Sequence, residues 1–285
     1  MPIHPRPKIS SVLLVMGLTI SLLILLLGSM TACQAVAQTP TPPPHRLALI
    51  KTPPYGIYPG DIVVAPNGLA YIILLTGQIA VLDGTHLVTV IPKPLPDINN
   101  YGLSFLTVQP KTGLVYLTDE PGFVHIISGT RVITSIADIQ WLPNAITANP
   151  YTGLVYVANA GNRYNRQNPH PNPELPGTVD VISGTHVLTE LLVGYAPQVL
   201  AAAPNSARVY VGQLAGHQSM GQVQIGPLGI LEGANLITNT FLGPKQWDSA
   251  ITDIAVNAQD GSLYWITGGS LWYWDGEHPV LRAPL

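Results

Sequence analysis

Beyond residue 44 the apolar positions fall in short runs rich in Val, Ile, Leu and Tyr, separated by clusters of Pro, Asn, Thr and Gly. No segment there carries an apolar stripe at helical spacing over a useful length. Short runs bounded by turn residues predict strands. First strands are expected at 62–65, 103–108, 145–148, 199–203 and 251–256. In each case a Pro/Asn/Thr/Gly turn and a second strand rich in Val and Tyr follow. Third strands are expected at 79–82, 124–127, 179–182, 223–225 and 271–274. Each then meets a glycine turn and a fourth strand. The turns are Asp83-Gly84-Thr85-His86, Ser128-Gly129-Thr130-Arg131, Ser183-Gly184-Thr185-His186, Glu232-Gly233-Ala234-Asn235 and Asp275-Gly276-Glu277-His278. A glycine between two β-branched runs supplies the positive φ of a tight hairpin.

This order makes the chain a tandem repeat. Aligned on Pro66, Pro110, Pro150, Pro204 and Ala258, the repeats have pitches of 44, 40, 54 and 54 residues, a period that fits one four-stranded propeller blade each. The expected fold is an all-β propeller of about five antiparallel blades over 45–285, with blades at 60–95, 101–138, 143–193, 197–242 and 250–285. Residues 45–51 also have strand character and are a candidate ring-closing strand. Residues 279–282 compete for the same place.

Asn149-Pro150-Tyr151-Thr152-Gly153-Leu154-Val155-Tyr156-Val157-Ala158-Asn159, followed by Gly177-Thr178-Val179-Asp180-Val181-Ile182-Ser183-Gly184-Thr185, resembles the YVTN-repeat family of β-propellers. That resemblance implies radial blades around a central channel and an extracytoplasmic surface protein. The family is related in fold to quinoprotein-like and lactonase-like propellers.

The first 44 residues are different in kind. Arg6 and Lys8 precede an uncharged apolar run at 9–30, and then Met30-Thr31-Ala32-Cys33. Small residues before the chain's single cysteine resemble a bacterial lipobox, with 1–32 as a lipoprotein signal peptide and Cys33 as the lipidated first residue of the mature chain. An uncleaved transmembrane anchor is the alternative for a run of this length. Acyl chains anchor through about 0.8 kcal/mol per buried methylene. Residues 33–44, Pro/Thr-rich, form a tether with too little apolar surface to fold. Both readings place the domain in the cell envelope, outside the cytoplasm, with the membrane as one partner.

Charge narrows the remaining partners. Without Arg6 and Lys8 the chain carries ten basic residues against fifteen acidic ones, a net charge of about −5. No basic stripe is present, which argues against nucleic acid.

Several side chains are candidates for chemistry. Asp61 and Asp253 each lie five residues before the aligned turn position, in the first strands of the first and last repeats. Paired carboxylates at a channel mouth bind a hard cation such as Ca²⁺, or split their pKa values for acid–base work. They also serve simply as caps on strand backbone. The third repeat inserts 159–176 between its second and third strands, with Arg163, Tyr164 and Arg166, and the fourth inserts 213–222 with His217. Insertions of this length are usually either functional or mobile. Trp141 and Trp247 lie in fourth-to-first connections, where aromatic residues either stack on a ligand or wedge between blades. His86, Arg131, His186 and His278 sit at equivalent outer turns and diverge around a rim, which suits no shared metal. No nucleophile elbow, zinc-protease motif or phosphate loop is present.

The leading expectation is a membrane-anchored binding or scaffold module for a protein or glycan. Its binding residues are Arg163, Tyr164, Arg166, His217, Trp141 and Trp247. A hydrolase or lyase for a sugar or lactone, using Asp61 and Asp253, is the alternative. A quinone-cofactor protein is a weaker third reading, by fold analogy.

Overall fold

The structure is a computed structural model that describes residues 59–74, 77–92, 105–119, 122–137, 139, 143–160, 177–194, 196–213, 228–240, 251–275 and 279–284. The candidate closing strand at 45–51 lies outside them, as do the signal segment and tether.

Every element among the described residues is a strand. Pro59–Val64 (β1), Leu69–Leu74 (β2), Ile79–Asp83 (β3) and His86–Ile91 (β4) form the first sheet. Leu106–Val108 (β5), Val115–Asp119 (β6), Phe123–Ser128 (β7) and Arg131–Ile136 (β8) form the second. The third holds Pro143–Ala148 (β9), Val155–Asn159 (β10), Gly177–Ser183 (β11) and His186–Gly194 (β12). Pro197–Ala202 (β13), Arg208–Gln213 (β14), Leu228–Glu232 (β15) and Asn235–Thr240 (β16) make the fourth. Ile251–Val256 (β17), Leu263–Thr267 (β18), Ser270–Trp274 (β19) and Pro279–Pro284 (β20) make the fifth. Each sheet is an antiparallel meander in chain order. The first strands pack consecutively, β1 on β5, β5 on β9, β9 on β13 and β13 on β17, so they form the inner layer. This is the β-propeller of about five four-stranded blades that the repeat predicts.

Burial explains the sequence pattern. Middle strands are covered on both faces by neighbouring blades, so they are largely apolar without alternation, as in β10 (VYVAN), where every residue is buried. The outermost strands have one face in water and alternate, as β8 does. Four apolar clusters fill the junctions between consecutive blades. In one of them Tyr71 and Ile79 of the first blade meet Val115 and Leu117 of the second. Each fully buried aliphatic side chain contributes about 1.5–3 kcal/mol. The hairpin glycines Gly84, Gly129, Gly184 and Gly233 have φ of 54°, 58°, 57° and 58°, a left-handed conformation that side chains with a Cβ rarely adopt.

One strand is placed differently from expectation. The third strand of the fourth blade is Leu228–Glu232, not 223–225, which lies outside the described residues. The β-branched character of Val223 and Ile225 favours the earlier position. The hairpin at Gly233 sets the register instead, pairing Glu232 with Asn235 and leaving Gly226-Pro227 as the punctuation before the strand. In the last blade the fourth-strand place is held by β20, which pairs with β19.

Candidate functional site

Asp61 and Asp253 both lie on inner strands, β1 and β17. In both strands the ladder slips by one residue at this point, between Pro59 and Ile62 in β1 and between Ile251 and Asp253 in β17. β13 slips at the same place, between Pro197 and Val199. Such bulges bend a strand and re-aim its side chains. The Asp61 carboxylate is engaged at both oxygens. Oδ1 accepts the Ile62 N–H at 2.8 Å, and Oδ2 accepts the Leu106 N–H of the second blade at 2.8 Å. Asp253 is exposed, and its Oδ1 accepts the Ile254 N–H at 2.8 Å. Each carboxylate therefore caps the backbone at its strand, and Asp61 also joins two blades.

The expected binding residues Arg163, Tyr164, Arg166, His217, Trp141 and Trp247 lie outside the described residues, as does Cys33. Their points of attachment are described. The connection bearing Arg163, Tyr164 and Arg166 leaves β10 and returns at β11; that bearing His217 leaves β14 and returns at β15. These are equivalent positions of adjacent blades that share an apolar cluster. Both long connections thus emerge from the same end of neighbouring blades. His86, Arg131 and His186 are exposed at the hairpin ends of three separate blades.

Two buried polar groups inside the blades were not anticipated. In the second blade the fully buried His125 places Nδ1 2.7 Å from Ser135 Oγ and Nε2 3.8 Å from Asp119 Oδ2, with its ring stacked on Phe123. In the third, the buried Asn159 donates through Nδ2 to Asp180 Oδ2 at 2.8 Å and to Thr178 Oγ1 at 3.3 Å. Asn159 Oδ1 is buried without a hydrogen-bond partner. The available signal was a polar residue interrupting a buried strand, His125 in FVHIIS and Asp180 in GTVDVIS. The two occupy equivalent registers, opposite Leu117 and Val157.

No protein-family model matches the chain, and no curated protein matches it. Solved structures do. The chain is similar to hydrazine synthase from Kuenenia stuttgartiensis, with TM-score 0.56 and 13% identity over 80% of this chain and 66% of that one. It is similar to a chain of the mitotic checkpoint complex, with TM-score 0.58 and 8% identity over 80% of this chain and 65% of the other. A functionally unknown protein from Desulfotomaculum acetoxidans gives TM-score 0.54 and 13% identity, covering 79% and 70% of the two chains. At these identities the likeness is one of fold, and the first two proteins contain propellers. The chain spans just under two thirds of each of those two.

Proposed function

We propose that the chain is an extracytoplasmic, membrane-anchored binding or scaffold module that recognises a protein or glycan through the loop-rich end of its propeller. The observation that carries this reading is the emergence of two long connections from equivalent strand ends of the adjacent third and fourth blades. Blades held by their own apolar junctions tolerate variation there, which is where propeller-like scaffolds place recognition. Arg163, Tyr164, Arg166 and His217 on these connections, with Trp141 and Trp247 on fourth-to-first connections, are side chains of the kinds that dominate binding hot spots. The YVTN-like repeat and the lipobox-like Met30-Thr31-Ala32-Cys33 support a lipid-anchored position in the cell envelope.

Hydrolase or lyase chemistry at Asp61 and Asp253 is the second reading, supported by their common position on inner strands. It is weakened by the backbone N–H groups that already occupy both oxygens of Asp61. The same occupancy disfavours Ca²⁺ at the channel, and no described feature favours a quinone. A pull-down from the native cell envelope separates the readings. It compares the full chain with one shortened at 161–176 and with an Asp61→Asn/Asp253→Asn double variant. Loss of partners on shortening, with the double variant unaffected, is expected. Loss with the double variant alone, at unchanged melting temperature, overturns the loop-end reading.

A further inference from the structure

Three polar side chains of the second blade meet on one face from three adjacent strands. Ser135 on β8 is the direct cross-strand partner of His125 on β7. Asp119, at the end of β6, pairs with Phe123, two residues from His125, so strand alternation puts all three on the same face. His125 Nδ1 lies 2.7 Å from Ser135 Oγ, and Nε2 lies 3.8 Å from Asp119 Oδ2. The imidazole is fully buried and stacked on Phe123, which fixes its plane, whereas Ser135 is exposed.

The blade itself does not require polar groups here. The His125 and Ser135 registers hold Ala80 and Val90 in the first blade, and Trp272 and Leu281 in the fifth. The order of the three groups has a chemical consequence. Nε2 is buried without a hydrogen-bond partner, and the Asp119 carboxylate beside it favours the tautomer with the proton on Nε2. The Nδ1 lone pair is then left to accept the Ser135 hydroxyl proton. Serine, imidazole and carboxylate in this order are a nucleophile, its base and the group that orients the base, recognised by geometry and not by motif. A separation of 3.8 Å is longer than a hydrogen bond, and catalytic contacts of this kind often tighten only when substrate binds. β8 also ends its sheet, so alternate N–H groups along it point away from the ladder. Either the N–H of Ser135 or those of its two neighbours are thus available to a developing oxyanion.

We propose that Ser135 is a nucleophile for acyl transfer from an ester, with His125 as general base and Asp119 as the residue that positions it. Ser135 Oγ bonds to the ester carbonyl carbon as its proton passes to His125 Nδ1, and Asp119 offsets the imidazolium charge. His125 gives that proton to the leaving alkoxide as the ester C–O bond breaks. Water, deprotonated at the same Nδ1, then releases the carboxylic acid and restores the serine hydroxyl. Ile133, two residues before Ser135 in β8 and 52% exposed, offers apolar surface to an acyl chain. The site stands whether or not the long connections of the third and fourth blades bind a partner.

The test treats the purified full chain with a fluorophosphonate probe, which bonds phosphorus to a reactive serine oxygen and releases fluoride. Rates are compared at a temperature where circular dichroism shows every variant folded. One label per chain is expected, on the peptide bearing Ser135, and Ser135→Ala should abolish it. Asp119→Asn should slow labelling about 100-fold, and Asp119→Glu should label faster than Asp119→Asn. Asp61→Asn/Asp253→Asn should label at the unmodified rate. No label in the unmodified chain overturns the proposal, as does label that survives Ser135→Ala. Unmodified and Asp119→Asn chains labelling equally fast, Asp119→Glu no faster than Asp119→Asn, or loss of label in the inner-strand double variant also overturns it.

Discussion

The Tyr71 hydroxyl donates to the carbonyl oxygen of Gly129 at 2.9 Å, joining the second strand of the first blade to the outer hairpin of the second. The relationship repeats one blade on, from Tyr116 to Gly184 at 3.0 Å, and again from Tyr156 to Gly233 at 2.9 Å. At these three junctions the glycine of the left-handed hairpin and the tyrosine of the preceding blade's second strand are thus two halves of one contact. Tyr264 holds the equivalent place in the fifth blade but is only partly buried, and no such bond to Gly84 is present among the described residues.

Removing one of these hydroxyls should therefore be felt, and its position should matter. Tyr116→Phe and Tyr156→Phe are each expected to cost about 1 kcal/mol. For a domain of this size that lowers the melting temperature by roughly 2–4 °C. Tyr264→Phe should change it by less than either. Thermal unfolding of the three variants checks the ranking.

The same tyrosines set an alkaline limit. Burial pushes the phenols of Tyr71, Tyr116 and Tyr156 up, opposed in part by hydrogen bonding to Asn67 at Tyr71 and to Thr152 at Tyr156. A raised folded-state pKa means that the folded chain holds the proton more tightly than the unfolded chain. The associated stability is fully present below about pH 10, the unfolded value, and falls as pH rises above it. Phenolate absorbance at 295 nm from these three groups should appear only together with loss of the far-ultraviolet β signal. Full tyrosine ionisation in a chain with intact circular dichroism would contradict the assignment.

Asn149 should be among the least replaceable polar residues. Fully buried, it accepts the Tyr151 and Thr152 N–H groups at 2.8 and 3.0 Å. It donates to the Ser206 and Arg208 carbonyls of the next blade at 2.9 and 3.1 Å. Asn149→Ala leaves those groups unpaired, at a cost of about 2–3 kcal/mol. Asn149→Asp should be worse at neutral pH, because a carboxylate cannot donate to carbonyls and is repelled by them. Urea unfolding at pH 7 checks both.

Asp61 and Asp253 should separate in stability. Asp61→Ala removes the acceptor of the Leu106 N–H and should cost about 1.5 kcal/mol. Asp253→Ala removes only a bond to its own neighbour and should cost clearly less. Equal effects in chemical denaturation would remove the distinction between a junction residue and a local cap.

For the anchor, Cys33→Ser is expected to abolish incorporation of a labelled fatty acid and to leave an unprocessed or soluble chain. Label retained in the variant would count against lipidation at this residue.

The sequence by itself determined the all-β class, the four-stranded unit and its recurrence. Strand period, glycine turns and the Val/Tyr second strands are local properties, and each repeat states them again. The repeated tyrosine and hairpin glycine were visible as well, but only as separate features. Their hydrogen bond spans 58 to 77 residues and exists only once blades stack. Asp61 and Asp253 could be placed in one register from spacing alone, whereas the Leu106 N–H that engages Asp61 belongs to another blade. For the third strand of the fourth blade, β propensity favoured 223–225 and hairpin register selected Leu228–Glu232. The pairing of Asp180 with Glu190 likewise came from the ladder. A side chain's polarity is written in the sequence. Whether it meets water, a donor or another charge is decided by which strand lies opposite, and that is a property of the packed sheet alone.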